Sequence, residues 1–134
     1  VHVGTNDLVK VDSFAFRARV RVFMEECVAG FPAARIVWSD ILPHACYFGT
    51  QLPVRADRKR RSINRWCKSI GSRFGITTLN HPQFSFDQYH LYSYDGVHLS
   101  AAGNRIFTGN IRDCILRQVG GGLSDLAVSP WGSG

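Results

Sequence analysis

Hydrophobic positions follow two rhythms along this chain, and the rhythm switches several times. The opening VHV, the run ARIVWSDIL from Ala34 to Leu42 and the shorter ITTLN from Ile76 to Asn80 are dense, largely β-branched apolar segments, which suits parallel strands covered on both faces. Between them the spacing becomes helical. From Asp12 or Ser13, either of which can cap, Phe16, Val20, Phe23, Met24, Cys27 and Val28 recur as the apolar positions, while Arg17, Arg19, Arg21, Glu25 and Glu26 decorate much of the rest. Gly30, with Pro32 just beyond, stops that helix. A second helix is predicted over VRADRKRRSINRWCKSIGSRFG, where steps of about 100° put Ile63, Trp66, Cys67, Ile70 and Phe74 on one arc and Arg58, Arg61, Arg65 and Lys68 on the opposite one. The last helix is predicted from about Ser100 to Val119, with Ile106, Ile111, Ile115 and Val119 among its buried residues, and Gly120 to Gly122 end it. Strand and helix alternate, so the predicted class is α/β with parallel strands.

Two segments carry neither rhythm. FSFDQYHLYSYDGVH is a long aromatic loop, and loops of that length inside a compact domain are usually functional. Residues 120–134 are rich in Gly and Ser and read as a mobile tail behind a domain spanning 1–119. The length of 134 residues, with 45% hydrophobic and 19% charged, suits one domain with a real core. No uncharged apolar run approaches the roughly 20 residues a membrane span needs. Cys27, Cys46, Cys67 and Cys114 are widely spaced, with no C-x-x-C and no Cys/His grouping of the zinc type, so reduced thiols in a cytosolic or nuclear setting are expected, with no metal and no cofactor. The only Met is Met24, and no basic segment precedes the first strand, so the N-terminus is expected to be cut and shows no signal peptide.

Candidate chemistry concentrates in YDGVHLSAAGNRIF, from Tyr94 to Phe107. Asp95 and His98 stand three residues apart across a tight turn that contains Gly96, close enough for the carboxylate to reach Nδ1 of the imidazole. That fixes the tautomer and leaves Nε2 to take a proton from a nucleophile. The bare spacing is not distinctive, because Asp87 and His90 repeat it eight residues upstream. Asn6, in the loop Gly4 to Asp7 after the first strand, is a turn-former or an oxyanion donor. Ser39, Asp40, Pro43 and His44 follow the second strand and could line a site at the carboxyl edge of the sheet.

VHVGTNDL at the start and DGVHLSxxG near the end together resemble the GxND and DxxH blocks of the SGNH hydrolases, the GDSL-like esterases and lipases. The resemblance implies a three-layer α/β/α, flavodoxin-like fold and hydrolysis of acyl or acetyl esters. It makes His98 the general base, Asp95 its acid and Asn6 the oxyanion asparagine, with Gly4 supporting the Asn6 loop. The family's nucleophilic serine lies in a G-D-S block upstream of GxND, and G-D-S occurs nowhere in this sequence. The fold is therefore expected to be N-terminally incomplete, with a bare strand edge for an N-terminal half or another chain to cover. The chain alone is expected to be inactive. Because the stripe on helix 55–73 supplies much of the +6 net charge and the pI near 9.6, the alternative is a non-catalytic module contacting nucleic acid or an acidic protein surface. A weaker resemblance extends to esterase-like domains in proteins of vertebrate retroelements, which fits that context.

Overall fold

The computed structural model describes residues 12–45, 53–119 and 126–127. Helix α1, Ser13–Gly30, begins with Asp12 as the N-cap residue, whose carbonyl accepts from Phe16 N at 2.9 Å, and it closes where Phe31 N donates to Cys27 O. A short turn through Pro32 then leads into β1, Arg35–Ser39. Helix α2, Pro53–Arg73, follows and leads into β2, Thr77–Leu79. A 3-10 turn at Tyr89–Leu91 precedes α3, Ala101–Gln118. Strand β3, Leu126–Ala127, completes the described elements.

The strands lie in the order β2-β1-β3, and both pairings are parallel. Val37, Trp38 and Ser39 face Thr77, Thr78 and Leu79 on one edge of β1, while Arg35 and Ile36 face Leu126 and Ala127 on the other. The guanidinium of Arg35 also donates to Gln118 O at 2.6 Å, which ties the end of α3 to the start of β1. Because successive strand residues point to opposite faces, β1 feeds two cores. Ile36 and Trp38 pack with Phe16, Val20 and Met24 of α1 and with Ile63, Cys67 and Ile70 of α2. Val37 packs with Leu79 and Cys114, and Ile111 of α3 leans on them. Helices therefore cover both faces of β1, which is why the strand reads as an unbroken apolar run.

Helix α2 ends on a Schellman motif: Ile76 N donates to Gly71 O, Gly75 N donates to Ser72 O, and Gly75 takes a φ of +73° that favours glycine. The same helix corrects the predicted length of the second strand. β1 stops at Ser39, although the apolar run continues to Leu42, because the main chain of Ile41 bonds to a side chain rather than to a strand. Asn64 Oδ1 accepts from Ile41 N at 2.9 Å and Asn64 Nδ2 donates to Ile41 O at 3.0 Å. Arg60 adds a second bond to that carbonyl at 3.1 Å and is itself held by Asp57 at 2.8 Å.

Ile63, Cys67 and Ile70 are buried as their arc predicts, and Arg58, Arg61, Arg65 and Lys68 are exposed. Helix α3 is rotated from expectation. Ile106, Ile111, Ile115 and Val119 are only half-buried, while Gly103 and Cys114 lie innermost. The cause is at Gly103, where a Cβ would sit 2.1 Å from the carbonyl oxygen of Leu91, so this residue sets how the helix turns toward the sheet. The strand expected at 1–3, the loop expected to carry Gly4 and Asn6, and Cys46 lie outside the described residues. So does segment 120–134 apart from the two residues of β3, which no strand signal announced.

Candidate active site

The loop before α3 is closed by its own backbone. Tyr92 pairs antiparallel with Leu99, Ser93 N donates to His98 O at 2.7 Å, and Gly96, at a φ of +70°, donates to Ser93 O at 2.9 Å. Within that frame one oxygen of Asp95 accepts from Val97 N at 2.9 Å and His98 N at 3.0 Å. Its other oxygen lies 2.6 Å from His98 Nδ1. Asp95 is thus an Asx-type brace for the turn and the orienter of the imidazole at once. The hydrogen bond to the His98 ring, followed by those from Val97 N and His98 N, holds the Asp95 carboxyl down at about 2. An ionised partner on Nδ1 keeps the ring proton there, so Nε2 is the acceptor. The His98 side chain is 69% exposed, and no bond engages its Nε2 among the described residues.

Two supports fix this loop to the fold. Ser100 caps α3 by accepting from Gly103 N at 3.1 Å and donates its own proton to His90 O at 2.7 Å. Tyr92, buried and edge-on to Phe84, donates its hydroxyl to Pro43 O, joining the loop to the segment that leaves β1. The sequence places Tyr92 among the loop aromatics and Gly103 in the first turn after the Ser100 cap, but does not show the Tyr92–Pro43 bond. An isolated tyrosine gives no local cue for a bond to residue 43, whereas the S-x-x-G spacing at the start of α3 was a visible one.

The duplicate pair does not close: Asp87 accepts instead from Ser85 Oγ, and both Asp87 and His90 are exposed. Ser39 is buried 2.7 Å from His81 Nε2, far in role from His98. On the opposite side of that ring the Asn110 amide donates to Nδ1 at 3.0 Å, and Asn110 exchanges two further bonds with Gln83. A neutral ring that accepts at Nδ1 carries its proton on Nε2 and donates to Ser39, so it cannot deprotonate the serine. Asp40 borders two cavities, of about 440 and 180 Å³, at the carboxyl ends of β1 and β2, with Asn80 and Pro82 common to both and Lys68 and Arg117 lining the larger. Among the described residues no three His, Cys, Asp or Glu side chains gather as metal ligands, and no helix is long and apolar enough to cross a membrane.

No family model matches the chain, and no curated protein matches it. A solved structure does: the esterase domain of the ZfL2-1 ORF1 protein from the zebrafish ZfL2-1 retrotransposon, with a TM-score of 0.65 and 27% identity over 87% of this chain and 70% of that one. The fold is esterase-like. Its α/β character and parallel strands agree with the class predicted from the hydrophobic rhythm.

Proposed function

We propose that this chain carries the acid-and-base part of an ester-hydrolysing site on a three-layer SGNH-type scaffold, acting on acyl or acetyl esters. The observation that supports it most is the Asp95–His98 pair, closed at 2.6 Å on an esterase-like fold with Nε2 left open. In this reading His98 takes the proton of an attacking hydroxyl and returns it to the leaving alcohol, while ionised Asp95 stabilises the imidazolium in between. Asn6 donates to the oxyanion, with Gly4 supporting its loop. The hydroxyl comes from a G-D-S block that this sequence does not contain, and Ser39 is not a substitute because it answers to His81. The chain by itself is therefore inactive. With p-nitrophenyl acetate it should turn over no faster than its His98→Ala variant, and a fluorophosphonate probe should label none of its serines. Joined to a strand-and-G-D-S segment it should hydrolyse the ester, and His98→Ala should remove about 10³-fold or more of that rate. Failure of the joined protein would sink the proposal.

A second reading is favoured by one observation: Arg58, Arg65 and Lys68 are exposed along one line of α2, and among the described residues none of them forms an ion pair within 4.0 Å. Such a row suits a polyanion such as RNA. Fluorescence anisotropy with a labelled single-stranded RNA should then show binding that weakens steeply with salt and is lost when Arg58, Arg61 and Arg65 are replaced together. Binding indifferent to salt or to those replacements rejects it.

A further inference from the structure

The cavity of about 440 Å³ at the carboxyl ends of β1 and β2 is built from both sides of the sheet. Helix α2, which covers one face of β1, contributes Lys68, and α3, which covers the other, contributes Asn110, Asp113 and Arg117. Asp40 joins them from the end of β1, where its N–H donates to Leu79 O at 2.8 Å. One wall is held from behind. Gln83 and Asn110 both line the cavity and exchange two hydrogen bonds, at 2.9 and 3.1 Å. Asn110 also donates to His81 Nδ1 at 3.0 Å, and the far nitrogen of that ring lies 2.7 Å from the buried Ser39 hydroxyl. A chain of polar side chains thus anchors two carboxamides of an open wall to the interior, where a ligand would find them already in place.

We propose that this cavity binds a sugar phosphate, with the phosphate between Lys68 and Arg117 and the sugar hydroxyls on Asn80, Gln83 and Asn110. The charges point to an anion. Lys68 and Arg117 are exposed, and among the described residues neither forms an ion pair within 4.0 Å. Of the two acids that line the cavity, Asp113 has Arg112 at 3.5 Å. The other, Asp40, resists its own charge, because burial raises its carboxyl against the fields of Arg60 and Lys68. An anion arriving beside it raises it further, so that the carboxyl keeps its proton and donates. Two cations that come from opposite faces of a sheet suit a tetrahedral phosphate, whose oxygens point several ways, better than a planar carboxylate. The volume lies within the roughly 300–1,000 Å³ of small-molecule sites and is more than free phosphate fills. The rest of the lining supplies carboxamides and the Thr78 hydroxyl, the donors and acceptors that a polyhydroxylated body pairs with. Neither Asp95 nor His98 lines the cavity, so the proposal stands apart from the ester chemistry.

The test is a proton–nitrogen NMR titration of the full chain with ribose 5-phosphate, ribose and inorganic phosphate, followed at the side-chain amides of Asn80, Gln83 and Asn110. Ribose 5-phosphate should shift all three, with inorganic phosphate and ribose each binding at least about tenfold more weakly. Lys68→Gln and Arg117→Gln, both at exposed positions, should each weaken ribose 5-phosphate by about tenfold. Arg105→Gln, exposed on α3 but outside the cavity, should leave it unchanged. Asp40→Asn keeps a donor and removes the residual charge, so binding should be as tight or tighter. The proposal is overturned if ribose 5-phosphate does not bind, or binds no better than inorganic phosphate or than ribose. It is equally overturned if Asp40→Asn weakens binding, or if Arg105→Gln weakens it as much as the two cavity variants do. Ester turnover does not enter these titrations, so their outcome and that of the joined protein are read separately.

Discussion

At the level of single residues, Asp40 and Asp95 show how differently one side chain is treated within one molecule. Asp95 is solvated, its charged form is gripped by three hydrogen bonds, and it is held at about 2. Asp40 has an oxygen that is buried with no hydrogen-bond partner among the described residues. Burial pushes it up to about 6, against the fields of Arg60 and Lys68. A raised carboxyl means that the folded state holds this proton more tightly than the unfolded chain does. Its contribution is therefore neutral below the ordinary value of 3.8, becomes a penalty as pH climbs from there to about 6, and is a full penalty above it. Asp40→Asn should raise the melting temperature at pH 8, by the equivalent of about 1–2 kcal/mol once solvent screening is allowed for, and should give no advantage at pH 4. Differential scanning calorimetry at the two pH values checks this, and an advantage that does not vary with pH would contradict it. Asp95 runs the other way. Its grip is complete above 3.8 and is released as pH falls toward 2, so the base loop should open in acid.

At the level of elements, the contact between α3 and the base loop is backbone against backbone. Gly103→Ala places a methyl group where the Leu91 carbonyl already stands, and should cost about 1–3 kcal/mol in chemical denaturation. Gly109→Ala on the same helix meets nothing within 4 Å and should be neutral or stabilising by up to about 1 kcal/mol. Equal effects at the two sites would refute this account of the rotation of α3. Local signals made most helix ends legible in the sequence: the Pro32 stop and the Ser100 cap each act within a few residues, whereas Asp12 takes the N-cap position of α1 without a side-chain cap bond. The same locality explains why the Asp95–His98 geometry could be read from its spacing taken with the Gly96 turn, which the Asp87–His90 pair lacks. The length of β1 could not, because what ends it is an amide on another helix.

Across the whole molecule, what escaped the sequence consists of side chains that meet across long separations. Tyr92 with Pro43, His81 with Ser39 and Asn110, and Arg35 with Gln118 each depend on which faces the sheet brings together, and no periodicity encodes that. The two-sided burial of β1 was readable, because an apolar run has to be covered on both faces whichever helices do it. The identity of those helices was not: among the described residues α1 and α2 share one face and α3 takes the other.

The Asn64 amide holds the peptide group of Ile41 by its N–H and its C=O and takes no notice of what residue 41 carries. The two positions therefore differ in tolerance. One aliphatic can replace another at 41, whereas at 64 even Asp, equal in size, has no N–H for the carbonyl and would face it with a like partial charge. Residue 41 is thus held twice, its main chain by a polar residue midway along a helix and its side chain, 1% exposed, by the core packed around it.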